Sequence, residues 1–183
     1  MQTAALKQRT NSRVSNRNPS RNKSELIFIV DDDPIYRELV HSHFVTLPKA
    51  KIMTFSCGED CLKQMHRKPS LVLLDYDLEP NKLNGVEVLT EIKANYPDTE
   101  VVILSGWDDV SVVVSSMRMG AADYVVKNES ALISLKTRAL HLFKRNALQR
   151  KVDEDKSFRQ IIVTFIAIIA VFSMFLYILM NYK

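Results

Sequence analysis

Four times along this chain of 183 residues a short apolar run stops at a hydrophilic side chain. Phe28 to Val30 runs into Asp31, Asp32 and Asp33, Leu71 to Leu74 into Asp75, Val101 to Leu104 into Ser105, and Tyr124 to Val126 into Lys127. Apolar runs of strand length without polar alternation fit parallel strands covered on both faces. The C-terminal ends of such strands are where open α/β sheets bind ligands. The stretch Leu71 to Asp77 is the purest of the four, and Asp75 is the leading candidate for chemistry.

The segments between the runs read as helices. Glu25 to Val30 is the first expected strand, and Pro34 to Thr46 a helix with Asp33 as N-cap and Pro34 in its first turn. A short strand over Lys51 to Phe55 and a helix over Gly58 to Arg67 follow. Leu71 to Tyr76 is the central strand, and Gly85 to Asn95 the next helix. Glu100 to Leu104, Asp109 to Met119 and Ala122 to Val126 complete the alternation, with Gly120 as a C-cap and a last helix from about Ser130. Five βα units in series predict a parallel sheet with right-handed crossovers and helices on both faces.

The ends of the chain differ from this middle. Residues 1 to 24 carry basic residues, no acid and much Asn and Ser, so they are expected to be a disordered basic tail, solvated or touching anionic headgroups. At the other end the last helix loses its core-facing stripe after Leu148, and residues 149 to 160 read as a charged helical stalk with Arg150 and Glu154, and Asp155 and Arg159, at helical spacing. Residues 161 to 180 carry no charge, and twenty residues at roughly 1.5 Å each suffice for a hydrocarbon core of about 30 Å. A transmembrane helix is expected there, with 181 to 183 as a short outer tail. Six basic residues from Lys144 to Arg159, against Lys183 alone beyond the span, place the folded domain in the cytoplasm. The net charge of +4 averages these unlike parts and is no sign of nucleic-acid binding. Cys57 and Cys61, at i, i+4, read as small buried side chains rather than a disulfide, and the four histidines show no metal-ligand spacing.

An acid pair, an acid, a hydroxyl and a lysine, each at a strand end, resemble the receiver domain of two-component response regulators, over residues 25 to 148. The resemblance implies a flavodoxin-like (βα)5 doubly wound fold of strand order 2-1-3-4-5, which sets the first and third strands side by side and gathers their terminal acids. It implies Asp75 as phosphoacceptor from a sensor histidine kinase or phosphotransfer protein, Lys127 as the fixed cation for the phosphoryl oxygens, and Ser105 as their hydroxyl donor. Ser105 and Tyr124 together form the switch. Two carboxylates 4 Å apart repel by about 4 kcal/mol at an effective dielectric near 20, so Asp31, Asp32 and Asp75 call for a cation. Mg2+ suits them, with the backbone carbonyl of Asp77 completing the protein ligands by resemblance.

The sequence departs from the family pattern twice. Asn128 follows Lys127 where receivers usually carry Pro, often after a cis bond, which without proline costs about 3 to 4 kcal/mol, so this loop is expected to differ. The loop from Asp75 to Gly85, through Glu79, Pro80 and Asn81, reads about two residues longer than usual, a difference that bears on kinase fit. The leading expectation is a membrane-tethered receiver that signals through its strand-four to helix-five face rather than through DNA. Two others stay open: a membrane-anchored scaffold of receiver fold that is not phosphorylated, and a haloacid-dehalogenase-like hydrolase with an aspartate nucleophile.

Overall fold

Side-chain alternation divides each central strand between two cores. In the computed structural model, which describes residues 24–78, 82–107 and 109–182, the strands are β1 (Glu25–Val30), β2 (Ala50–Phe55), β3 (Leu71–Asp75), β4 (Glu100–Ser105) and β5 (Asp123–Val126). They form one parallel sheet of order β2-β1-β3-β4-β5, as expected. Phe28, Val30, Val72, Leu74, Val101 and Ile103 turn to one face, where Cys61, Met65, Val88, Leu89 and Ile92 cover them. Ile27, Ile29, Leu71, Leu73, Val102 and Leu104 turn to the other, against Val40, Phe44, Leu135, Ala139 and Leu142. The covering side chains belong to helices α2 (Gly58–Gln64, closed by a 3-10 turn, Met65–Arg67) and α3 (Gly85–Asn95) on one side, and α1 (Pro34–Phe44) and α5 (Ala131–Asn181) on the other. Helix α4 (Val110–Arg118) lies between β4 and β5 in the chain. Fully apolar strands are needed because neither face meets water.

The helix starts follow local chemistry. The Asp33 side chain accepts from the Ile35 N–H with Pro34 in the first turn. Asn84 and Glu87 form a capping box at α3, and Asp109 caps α4, each satisfying amides that lack intrahelical partners. Gly120 takes a positive φ of 94° just beyond α4, the left-handed conformation favoured after a helix end. Both cysteines are free and buried, and burial pushes the Cys61 thiol up to about 12. That is the protonation state of a packing residue, as the sequence reading anticipated.

Helix α5 differs most from an ordinary last helix. It runs unbroken for 51 residues, and no Gly or Pro interrupts it. Its first turns bury Ala131, Leu135, Ala139 and Leu142. Contact with the domain extends past Leu148: the Arg150 guanidinium donates to Glu25, the first residue of β1, and Asn146 donates to the same carboxylate. From Val152 onward every described side chain is exposed, including the apolar ones from Ile161 to Met180. By length and composition this helix is apolar enough to cross a membrane. The basic segment expected at 1 to 24, apart from its last residue, and the loop residues Glu79, Pro80 and Asn81 lie outside the described residues, as does the Glu154 side chain.

Candidate functional site

Adjacent strands of equal reach bring their terminal residues together. Val30 of β1 pairs with Leu74 of β3, so the next residues, Asp31 and Asp75, leave the sheet side by side. Both are buried, and Asp32 beside them is half-buried. One carboxylate oxygen from each of the three lies within 4.8 Å of the others. The turn holding Asp31 and Asp32 is fixed by Arg37, whose Nη1 donates to the Asp31 and Asp32 carbonyls, and by the Asp33 N–H, 3.0 Å from Asp31 Oδ1.

Lys127 reaches this cluster from the end of β5. Its Nζ is 2.8 Å from Asp31 Oδ2 and 2.8 Å from Asp75 Oδ2, and 4.5 Å from the centre of the Tyr36 ring. The ammonium therefore sits between two buried carboxylates and over an aromatic face, which adds a cation–π attraction. All described peptide bonds are trans, Lys127–Asn128 included. Asn128 organises the loop differently from a proline: its Oδ1 accepts from the Ser130 N–H and hydroxyl, and its carbonyl from the Ala131 N–H at the start of α5.

Ser105, at the end of β4, is buried. Its Oγ accepts from the Trp107 N–H at 3.1 Å, and its carbonyl accepts from the Lys127 N–H at 2.7 Å, which ties the two strand ends together. The Tyr124 hydroxyl donates to the Trp107 carbonyl at 2.6 Å. The tyrosine is thus linked to the loop after Ser105 through Trp107 and does not point at the acid cluster. The Asp77 N–H faces Asp75 Oδ1 at 3.4 Å, so Asp77 lies beside the acids. Among the described residues nothing lies within 4 Å of where a Cβ on Gly106 would sit.

Charge in this cluster is under-compensated. Burial pushes the Asp75 carboxyl up to about 6, with the Asp31 charge adding to the push and Lys127 opposing it. Asp31 is also raised, chiefly by burial. Burial disfavours the Lys127 ammonium, but its two carboxylate partners outweigh that and hold its pKa above the ordinary value. Three acids with one lysine, their oxygens converging within cation-sharing distance, fit a hard divalent ion with oxygen ligands.

The sequence reading named each member of this cluster but missed three neighbours. Tyr36 and Arg37 sit on the first turn of α1, where spacing alone marks no ligand. Gly85 is read from sequence only as a helix start, yet a Cβ there would lie 2.3 Å from the Asp75 carbonyl oxygen and 2.8 Å from Tyr76 Cα. Its lack of a side chain lets α3 approach the backbone of the central acid.

Known proteins resemble this chain in sequence and fold. The family model of the response regulator receiver domain matches residues 27–137. The chain is 31% identical over 137 residues to the nitrogen assimilation regulatory protein NtrX of Azorhizobium caulinodans, covering 73% of this chain and 29% of that protein. It is 30% identical over 118 residues to the transcriptional regulatory protein DegU of Brevibacillus brevis, covering 63% of this chain and 49% of that one. The chain thus spans less than half the length of these relatives. The receiver domain of NtrX from Brucella abortus superposes with a TM-score of 0.56 at 32% identity, over 63% of this chain and 98% of that structure.

Proposed function

Because the chain belongs to the response regulator receiver domain family, we propose that Asp75 accepts a phosphoryl group from the phosphohistidine of a sensor histidine kinase or phosphotransfer protein, in a domain tethered to the cytoplasmic face of a membrane by residues 161–180. The observation that carries the phosphoacceptor reading is the placement of Lys127 Nζ 2.8 Å from both Asp31 and Asp75.

In the transfer, an ionised Asp75 oxygen attacks phosphorus as the phosphorus–nitrogen bond breaks. The bonding electron pair leaves with the imidazole nitrogen, which takes up a proton. The Lys127 ammonium stands where charge gathers on the phosphoryl oxygens, already oriented by two carboxylates and the Tyr36 ring, so little reorganisation is needed. Ser105 accepts from the Trp107 amide, and its own hydroxyl hydrogen is left to donate to a phosphoryl oxygen. Asp31, Asp32 and Asp75, with the Asp77 carbonyl by resemblance to the family, would hold Mg2+, and the ion would supply charge neutralisation for an anion approaching an anion. Movement of Ser105 toward the phosphoryl group pulls on the Trp107 loop, to which the Tyr124 hydroxyl is bonded. That chain of contacts is the route to the α4 and β5 surface.

The tether reading is supported by twenty uncharged residues at the end of a helix whose side chains there all face outward. A contiguous exposed apolar surface of that extent needs lipid or protein to cover it. The basic residues from Lys144 to Arg159 support the cytoplasmic orientation. Incubation with acetyl phosphate and Mg2+ tests the first reading: mass spectrometry should find a hydroxylamine-sensitive phosphoryl group on the wild type and none on Asp75→Asn. Equal labelling of the variant would move the site, and no labelling of either would favour the scaffold. Carbonate extraction tests the second, since a spanning helix stays with the membrane.

A further inference from the structure

Resting on the tether reading, we propose that the phosphoacceptor pole faces away from the bilayer at the end of a single helical lever, so that the donor it fits carries its phosphohistidine on a module standing clear of the headgroups, about 45 Å above the apolar span. The direction follows from what α5 meets as it descends. The helix begins just after Lys127, at the strand ends that carry the acids. Arg138 then pairs with Asp123, Arg145 with Glu100, and Arg150 with Glu25, the first residues of β5, β4 and β1. Helix α5 therefore runs antiparallel to the strands and leaves the domain at the foot, opposite Asp75. From Ala131 to Ile161 is thirty residues, which at roughly 1.5 Å each gives the stated separation along the helix axis.

The exit direction is fixed by a clasp. Glu25, 3% exposed, receives Ser70, Asn146 and Arg150. Asn146 and Arg150 lie one turn apart on α5, so two attachments to one carboxylate resist pivoting of the helix on the domain. Below the clasp, Arg150 to Ile161 is eleven residues, or about 16 Å. That stand-off is about two Debye lengths at physiological salt, so charges on the foot of the domain attract the headgroups weakly and do not pull the domain down onto them.

The full chain carries its own probe, since Trp107 is the only tryptophan, exposed and two residues beyond Ser105. In phosphatidylcholine–phosphatidylglycerol vesicles with dansyl-labelled headgroups, energy transfer from Trp107 should be near background. Transfer should be strong from a Trp107→Phe, Lys156→Trp chain, whose indole sits beside the span. Comparable transfer from both would overturn the proposal while leaving the tether intact. Failure of the wild type to float with the vesicles would sink the tether and this inference together, whereas acetyl phosphate labelling reports on the phosphoacceptor reading independently. Glu25→Ala, which releases both Asn146 and Arg150, should raise transfer from Trp107; unchanged transfer in that variant would overturn the clasp as what fixes the exit direction.

Discussion

The two ends of the same sheet bury carboxylates in opposite ways. At the foot, Glu25 has three donors, Ser70, Asn146 and Arg150, and although burial pushes its pKa up, those bonds outweigh burial and hold it below the ordinary value. At the head, Asp31 and Asp75 share one lysine and have Asp32 beside them, and both end up raised. A structural carboxylate is matched by its surroundings, whereas this pair is left with a surplus of negative charge. Raised carboxylates gathered beside a single lysine are the arrangement in which candidate functional sites are found.

Removing the head's cation should have the largest effect. Lys127→Ala takes away the ammonium that pairs with both Asp31 and Asp75 and, on the proposed reading, the donor for the phosphoryl oxygens. Acetyl phosphate labelling at saturating Mg2+ should fall by about 100-fold or more, the scale of losing one preorganised donor. A loss under about 3-fold, read from the time course of phosphoprotein, would mean that the lysine is structural only.

The second contrast is in pH. Asp75 holds its proton more tightly folded than unfolded, so its contribution to stability is present at low pH and is lost as pH rises through about 6. From the ordinary value of 3.8 this amounts to about 3 kcal/mol in the metal-free protein. Glu25 behaves oppositely: its contribution is present above its ordinary 4.5 and is lost only as the solution is acidified through its lowered pKa. Urea unfolding in EDTA should therefore give a lower midpoint at pH 7.5 than at pH 5, and Mg2+ or Asp75→Asn should remove most of that drop. A midpoint that rises with pH in EDTA would contradict the assignment of surplus charge.

At the foot, Glu25→Ala leaves Arg150, Asn146 and Ser70 without their shared acceptor. Stability should fall by about 1 to 3 kcal/mol, with phosphoryl labelling of Asp75 unchanged, because Glu25 opens β1 and Asp75 closes the parallel strand β3, at opposite ends of the strands. Labelling that falls in parallel with stability would show that the ends are coupled, not merely different.

The head was far more legible in the sequence than the foot. Each strand-end group there follows an apolar run, so strand order alone predicts that Asp31 and Asp75 meet and that Ser105 and Lys127 join them. The foot has no such grammar. Glu25 opens a strand as any surface acid might, and Arg150 lies beyond Leu148, where the apolar stripe stops and a stalk was expected. Their contact depends on how far α5 descends past β1, a distance fixed by three-dimensional packing and invisible to local pattern. Gly85 was hidden for a related reason, since its role lies in a backbone approach across the loop from Asp75. The trans bond at Lys127–Asn128 shows that the amine reaches its acids without the proline that the family pattern supplies.

Tyr36 gives the smallest expected effect and the finest test of how the head holds its lysine. Its ring lies under the ammonium, while its hydroxyl is buried with no hydrogen-bond partner among the described residues. Burial, with Asp31 and Asp75 adding to it, raises the phenol's pKa, so the hydroxyl stays neutral and contributes no charge. If the ring is what matters, Tyr36→Phe should keep the labelling rate and gain up to about 1 kcal/mol in stability by removing an unsatisfied polar group. Tyr36→Leu should lose the cation–π attraction, worth about 0.5 to 2 kcal/mol, and slow labelling by a few-fold. The loss stays modest because both carboxylates still hold the amine at 2.8 Å. Equal slowing in the phenylalanine and leucine variants would assign the role to the hydroxyl instead, and would place a second donor beside Lys127 at the head of the sheet.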